Sequence, residues 1–256
     1  MQILVFGLNH KYAPVEIREK VAFGATKLNE SLVHLSKALG GDECLILSTC
    51  NRVEIYAAGH DPEKMHETIK SFLKTHHHVP PADFSRFFYS LSGRAAVEHL
   101  FKVASGLDSL VLGENEILGQ CKNAFQAGQE AKTSHSILAQ AFERSFQCAK
   151  EIKTKTRINE GAISVSSVAV ELAEKIFGKL HGEKILILGS GKMSLHTLRH
   201  LQKAGCGTIL VSNRTHEKAI QLAEEFGAEA VSFEGWQARL KDVDIVISST
   251  AAPHVI

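Results

Sequence analysis

The chain has 256 residues, 44% hydrophobic and 22% charged, with a formal net charge of +1. That length accommodates two domains with real cores, and the near-neutral charge excludes a global attraction to nucleic acid or anionic membrane, so a polyanion must be met by a local patch. The five cysteines (Cys44, Cys50, Cys121, Cys148, Cys206) are odd in number and form no Cys-x-x-Cys, which argues against a disulfide framework or zinc ribbon and for a reducing, cytoplasmic setting.

Residues 1–7 lack the basic and small-residue features of a signal peptide, and no apolar stretch approaches the ~20 residues of a membrane helix. Residues 3–8 read as a buried strand ending in Gly7-Leu8-Asn9-His10. Pro14 then opens a short helix over 15–21 with Glu16 in its first turn. A second helix is expected over 28–39, where Leu28, Leu32, Leu35 and Leu39 form one stripe and Gly40-Gly41 stops it. Cys44-Leu45-Ile46-Leu47 and Val53-Glu54-Ile55-Tyr56 read as paired strands around a polar turn. Asp61-Pro62-Glu63 has the N-cap and Pro-at-N1 signature of a helix reaching about residue 74.

His76-His77-His78, ahead of Pro80-Pro81, reads as a solvated helix end, because consecutive side chains do not converge on one tetrahedral ion. Residues 84–89 are apolar enough for a strand, which makes this region α+β. Ser92 is expected to cap a helix ending at Gly106, with Val97, Leu100, Phe101 and Ala104 at helical spacing and His99 between them. Residues 106–120 form a glycine-punctuated polar loop, a binding loop or an ordinary connection, leading into a helix through Ala131.

Residues 137–158 carry no Pro or Gly and are long enough for a helical strut between domains. Its end bears Lys150, Lys153, Lys155 and Arg157, a basic stripe that reads as a solvated face suited to a helix C-terminus ahead of a phosphate contact. Asn159-Glu160-Gly161 ends the strut, dividing the chain into domains 1–160 and 161–256. The second begins with a helix over 164–177. There follow a strand (184–188), a tight turn (189–194), a helix (195–204), a strand (208–211), a helix (215–226) closed by Gly227, and strands at 229–231 and 243–247. This is the rhythm of a doubly wound parallel sheet of Rossmann type.

Two stretches carry chemistry. Cys50 sits where a buried strand meets a polar turn; Ser48, Thr49, Asn51 and Arg52 offer hydrogen-bond donors and one fixed cation, surroundings that lower a thiol pKa and suit a nucleophile. The competing reading is a small packing residue. In the second domain a strand, glycine turn and helix N-terminus form a pyrophosphate site, keeping Gly189 and Gly191 but placing Ser194 where a third glycine or alanine is usual. An NAD site ends its second strand in Asp or Glu. Here Ser212-Asn213-Arg214-Thr215 presents a cation and neutral donors, which predicts NADPH over NADH. A thiol in one domain and a hydride carrier in the other suggest a thioester reduced to an aldehyde.

On Gly7-Leu8-Asn9-His10 with Ala13-Pro14-Val15-Glu16-Ile17-Arg18-Glu19, the block 48–56, residues 106–120 and Asn213-Arg214-Thr215, the chain resembles bacterial glutamyl-tRNA reductase along essentially its whole length. The resemblance implies NADPH-dependent reduction of glutamyl-tRNA(Glu) to glutamate-1-semialdehyde, the first step toward 5-aminolevulinate, porphyrins and haem. It makes Cys50 the nucleophile that forms a glutamyl thioester and puts His99, a core histidine on the residues alone, near the thiol. It lines the glutamate pocket with Thr49, Asn51, Arg52, Ser109, Glu114, Asn115, Glu116 and Gln120. Arg52 would offer a planar fork to the substrate carboxylate and Glu114 would meet the ammonium group. NADPH would lie against Gly189, Ser190, Gly191, Lys192, Met193, Ser194, Asn213, Arg214 and Thr215. No metal or membrane is implied. The implied partners are the charged tRNA, glutamate-1-semialdehyde aminomutase and, for the full-length protein, a second copy of itself.

Three departures stand out. The family's usual Gly-x-Gly-Glu-Met-Gly has Lys192 and Ser194 here, and Glu116 replaces a common Gln. The chain also stops at Pro253-His254-Val255-Ile256, just after a strand, so the nucleotide domain reads as incomplete and the helical dimerisation region as absent: a fragment, compatible with a monomer. Two rivals remain. One is an NADP-dependent small-acid dehydrogenase of shikimate dehydrogenase type, which shares Asn-Arg-Thr and gives Cys50 no covalent role. The other is a non-catalytic tRNA- or partner-binding fragment.

Overall fold

Strand β1 (Gln2–Asn9) is buried along nearly its whole length because strands flank it on both edges and helices cover both faces. In this computed structural model, which describes residues 1–24, 26–114, 116–156, 158 and 165–249, the chain divides into units Met1–Ala162 and Ile163–Ile256. After β1 the first unit continues with α1 (Val15–Lys20), α2 (Leu28–Ala38), β2 (Glu43–Ser48), β3 (Arg52–Gly59), α3 (Pro62–His77) and α4 (Pro81–Phe87). It closes with β4 (Tyr89–Ser92), α5 (Arg94–Ala104), α6 (Glu116–Glu130) and α7 (Ser136–Lys155). Its sheet has the order β2-β3-β1-β4, with every pair antiparallel.

Alternation along the strands splits the core into two layers. Leu4, Phe6, Leu8, Val53, Ile55 and Ala57 face α2, α3 and α4, while Val5, Leu45, Leu47, Tyr56 and Ala58 face α5, α6 and α7. Gly7 is a point of close approach: a Cβ there would meet Val53 O at 2.3 Å. Asp61 caps α3 as expected, accepting from Lys64 N at 3.0 Å.

Several expectations need correction. Residues 84–89 do not form a strand; α4 begins with Pro81 at its first position, carries Asp83 in its first turn, and runs to Phe87 before β4 starts at Tyr89. An apolar run this short fits either period, and Phe84 and Phe88, four apart, both reach the Phe6 ring, at 6.2 and 5.3 Å. Ser92 ends β4, and Gly93 occupies the N-cap of α5 without a side-chain bond. The loop after Gly106 stops earlier than expected, since Glu116 already opens α6. Helix α7 buries Leu138, Phe142, Ser145 and Ala149 in the second layer, so most of it belongs to the first unit's core. Of the three consecutive histidines, His77 is half-buried edge-on to Phe23 at 4.6 Å, and burial pulls its imidazole down to about 4.

The second unit runs α8 (Val165–Phe177), β5 (Lys184–Leu188), α9 (Lys192–Lys203), β6 (Thr208–Ser212), α10 (His216–Phe226), β7 (Glu229–Val231) and β8 (Ile245–Ser248). All pairings are parallel, in the order β7-β6-β5-β8, which is the Rossmann arrangement with its switch point between β5 and β8. Lys192, Met193 and Ser194 belong to the first turn of α9 rather than to a preceding turn. A 3-10 segment, Trp236–Asp242, is new; it buries Trp236 against Leu186, Leu188 and Leu210.

Asn115, Arg157, Asn159-Glu160-Gly161, residue 164, the side chain of Lys192 and Pro253-His254-Val255-Ile256 lie outside the described residues. Among the described residues no helix is long and apolar enough to cross a membrane, and no group of three or more His, Cys, Asp or Glu could hold a metal ion.

Candidate active site

The ladder between β2 and β3 runs to Ser48 and Val53, leaving a tight turn. Thr49 closes it. Its backbone N donates to Arg52 O at 2.8 Å, and its Oγ1 accepts from the N–H groups of Asn51 (3.2 Å) and Arg52 (3.0 Å), the hydroxyl serving as a local backbone mimic. Cys50 is left exposed at the tip. Three neighbours hold the turn from outside. His10 N donates to Asn51 O at 2.8 Å and Phe23 N to Ser48 Oγ at 2.9 Å. Arg18 donates through Nη1 to Cys50 O and to Asn51 Oδ1 (3.2 Å), and through Nε to Ala13 O (3.2 Å).

The polar neighbours predict a depressed thiol pKa, and the structure gives the opposite. Cys50 reaches solvent, yet the protein around it displaces enough water to push its thiol up. Its own backbone and the Arg18 charge pull the other way, and the carboxylates of Glu116 and Glu114 reinforce the rise. Both carboxylates belong to the start of α6, Glu116 as its first residue and Glu114 as acceptor for its first N–H groups.

Beneath the turn lies a buried carboxylate. Arg52, Glu54 and Tyr56 alternate along β3 and therefore share a face. Glu54 accepts from Arg52 Nη1 (2.7 Å), Tyr56 OH (2.6 Å), Tyr89 OH (2.5 Å) and, on its third side, meets His99 Nε2 (2.9 Å). Burial alone would raise the Glu54 pKa, but Arg52, His99 and Tyr56 hold it well below the usual carboxylate range. Burial, then Glu54, drives the Tyr56 and Tyr89 hydroxyls up, so both stay protonated donors. His99 thus turns Nε2 to the buried carboxylate rather than to the thiol.

The second nitrogen of Arg52 is also engaged. Nη2 donates to Asp108 O at 2.6 Å and to Asp108 Oδ2 at 3.1 Å. Asn9 Nδ2 donates to the same Oδ2 at 3.3 Å, and Lys11 Nζ pairs with Oδ1. With 1% of its side chain exposed, Arg52 does not present an open fork; a protein carboxylate already fills it. Glu114 has a local task too. Its carboxylate accepts from Glu116 N (2.7 Å), Ile117 N (3.2 Å) and Ser109 Oγ (3.2 Å), satisfying the first turn of α6. Gln120 sits half-buried on α6.

The structure therefore gathers Thr49, Cys50, Asn51, Arg52, Glu114 and Glu116, with Ser109 joined through Glu114. Sequence reasoning assigned no role to Asn9, Lys11, Arg18, Glu54, Tyr89 or Asp108. For Glu54 a signal existed: two opposite charges at period 2 inside an apolar strand must share one face, and buried charges are paired. Arg18 and Asp108 gave none, since their partners stand 32 and 56 residues away.

In the second unit, Gly189 has φ +117, and a Cβ there would strike Ser249 O at 2.7 Å. A Cβ on Gly191 would meet nothing within 4 Å among the described residues, so the approach to the start of α9 is open. That end has no side-chain cap and no acidic residue in its first turn, leaving N–H groups suited to an anion. Ser194 is buried, with Oγ 2.6 Å from Ser249 Oγ. Past β6, Asn213 Nδ2 donates to Thr215 O at 3.0 Å, and the Arg214 side chain is exposed. The donor set fits a dinucleotide with a 2′-phosphate.

Residues 6–156 match the family described as glutamyl-tRNAGlu reductase, N-terminal domain, and residues 171–256 match shikimate/quinate 5-dehydrogenase. The glutamyl-tRNA reductase of Heliobacterium mobile is 46% identical over 256 residues, covering 100% of this chain and 58% of that protein. That of Akkermansia muciniphila is 44% identical over 257 residues, covering 100% and 75%. The solved glutamyl-tRNA reductase from Methanopyrus kandleri is similar at 37% identity and TM-score 0.61, over 98% of this chain and 59% of that one. The chain thus spans well under two thirds of the Heliobacterium protein.

Proposed function

The chain belongs to the glutamyl-tRNA reductase family, and from that premise we propose that it acts in reducing glutamyl-tRNA(Glu) to glutamate-1-semialdehyde, with Cys50 as the nucleophile. The observation that carries this reading is the placement of Cys50: exposed at the tip of a turn that Thr49 closes and Arg18 clamps. A packing cysteine has no need of such a setting. The thiolate attacks the aminoacyl ester carbonyl, the terminal ribose oxygen leaves with a proton, and the glutamyl group stays on sulfur as a thioester. NADPH, when bound, would supply the hydride that turns this acyl group into the aldehyde, the carbon–sulfur bond breaking so that Cys50 returns as its thiolate.

The residues around the thiol have definite parts in the first step. Glu114 and Glu116 oppose ionisation of Cys50 in the free protein. A substrate ammonium group beside them neutralises that opposition, so the thiolate forms when substrate is present. A substrate carboxylate reaches Arg52 by exchange with Asp108, and the Ser109 loop moves with it. His99 and Glu54 fix Arg52 from below. In the second unit, Gly189, Ser190, Gly191 and the backbone N–H groups of Lys192, Met193 and Ser194 take the pyrophosphate, the Ser194 hydroxyl staying with Ser249, while Asn213, Arg214 and Thr215 take the 2′-phosphate, which favours NADPH. In this reading the full-length protein is a cytoplasmic homodimer at the head of tetrapyrrole synthesis that hands its aldehyde to the aminomutase.

The match of residues 171–256 to shikimate/quinate 5-dehydrogenase favours a small-acid dehydrogenase for the second unit alone and leaves the thiol turn without work. One single-turnover experiment separates the readings: incubation with glutamyl-tRNA, with and without NADPH, followed by intact mass measurement. A glutamyl adduct should form without NADPH, clear with it as aldehyde forms, and be missing in Cys50→Ser. Full aldehyde yield from Cys50→Ser overturns the proposal, and tRNA binding with no adduct indicates a non-catalytic fragment.

A further inference from the structure

We propose that Arg18 is the positioning residue of the Cys50 turn: one guanidinium ties the turn to α1 and keeps a positive charge beside the sulfur. The inference rests on the reading of Cys50 as nucleophile. Three acceptors converge on this side chain, namely Ala13 O, Cys50 O and Asn51 Oδ1. Two of them belong to the turn, on either side of the peptide that follows Cys50. Thr49 accepts from the N–H of the same peptide within the hairpin, so that peptide is held at its N–H by Thr49 and at its carbonyl by Arg18.

Arg18 is not required to build the core. Helix α1 has six residues and buries none of them, so the bonds from Arg18 secure the helix to the turn instead of serving packing. A planar fork that reaches a carbonyl and an amide oxygen together is a task for Arg, which Lys performs poorly. The charge matters as well. The side chains that act on the Cys50 sulfur are Arg18 from α1 and Glu114 and Glu116 from the start of α6, and the guanidinium alone among these three favours the thiolate. Arg18 thus offsets two carboxylates that work against attack.

The test is the pH profile of Cys50 alkylation by iodoacetamide, read on its peptide by mass spectrometry, with Cys206 of the other unit as internal reference. Arg18→Gln should raise the midpoint by about one pH unit and slow alkylation at neutral pH about tenfold. Arg18→Lys keeps the charge and loses the fork. Its midpoint should stay close to that of the unaltered chain, while hydrogen exchange at the Asn51 and Arg52 amides accelerates.

An Arg18→Gln midpoint equal to that of the unaltered chain overturns the electrostatic part, and unchanged exchange in Arg18→Lys overturns the clamp. If Arg18→Gln does not fold, the Lys variant still decides, because a large midpoint shift with the charge retained contradicts the assignment. Alkylation needs neither charged tRNA nor NADPH. Its failure leaves the reductase reading intact, whereas a missing glutamyl adduct in the unaltered chain defeats that reading and the positioning role built on it, while the alkylation profile still reports the Arg18 contact itself.

Discussion

Arg52 and Glu54 stand two residues apart on β3, point to one face and meet at 2.7 Å with 1% and 0% of their side chains exposed. Removing one partner of so dry a pair leaves an uncompensated charge, a loss of about 3–5 kcal/mol. Glu54→Gln keeps some of the hydrogen bonds and should fall near the lower end of that range. Hydrogen exchange of the β1 and β3 amides under urea reads the loss, while fluorescence of Trp236, in the other unit, should hold steady. An unmoved β3 would show that the pair contributes little to stability.

The same carboxylate sets an acid limit. Arg52, His99 and Tyr56 outweigh burial and hold Glu54 below its unfolded value, which lies near 4.3. The folded state therefore binds the proton less readily than the unfolded chain. The stability this contributes is complete above the unfolded pKa and is lost as pH falls through the folded one. Asp108 shifts in the same direction, as Lys11 and Arg52 overcome its burial. The urea midpoint of the first unit should thus decline as the medium is taken from about pH 5 toward pH 3, and Glu54→Gln should flatten the decline.

Glu116 stands against ionisation of Cys50, so Glu116→Gln should lower the thiol midpoint and speed alkylation of the free protein at neutral pH by a few fold, about 2–5 times. A slower alkylation than in the unaltered chain would reverse the sign assigned to this residue.

Arg214→Ala removes an exposed cation just past the end of β6. A charge-assisted contact is worth about 1.5–3 kcal/mol, so NADPH should bind at least about tenfold more weakly, with NADH affinity unchanged. Equal weakening of both nucleotides would place Arg214 elsewhere than on the 2′-phosphate.

Local pattern made much of this architecture legible. The strands at β1, β2 and β3 follow from their apolar runs, α3 from Asp61-Pro62, and the second unit from repeated strand, glycine and helix. The failures have a common cause. The residues of α4 satisfy both periods; Pro81 and Asp83 offer a helix start, and the packing of Phe84 against Phe6, some eighty positions away, sides with it. The site divides in the same manner. Thr49 closing its own turn is a contact across three residues, which sequence can suggest. Asp108 filling the Arg52 fork and Arg18 clasping Cys50 O depend on where the loop after α5 and helix α1 lie against β3 and its turn, and no short stretch encodes that. The raised thiol pKa escapes the sequence for a related reason: donors are visible there, but the loss of water that dominates the rise, and the smaller push from Glu116 and Glu114, exist only once the chain is folded.

The four partners of Glu54 come from β3, β4 and α5, and the clasp on Cys50 comes from α1. A peptide copied from the hairpin would carry the sulfur with Arg52, Glu54 and Tyr56 but not Tyr89, His99, Asp108 or Arg18, and grafting the hairpin into a foreign sheet would leave Glu54 short of two partners and Arg52 without Asp108. The smallest transplantable version of this chemistry is the entire antiparallel sheet with the helices on both of its sides.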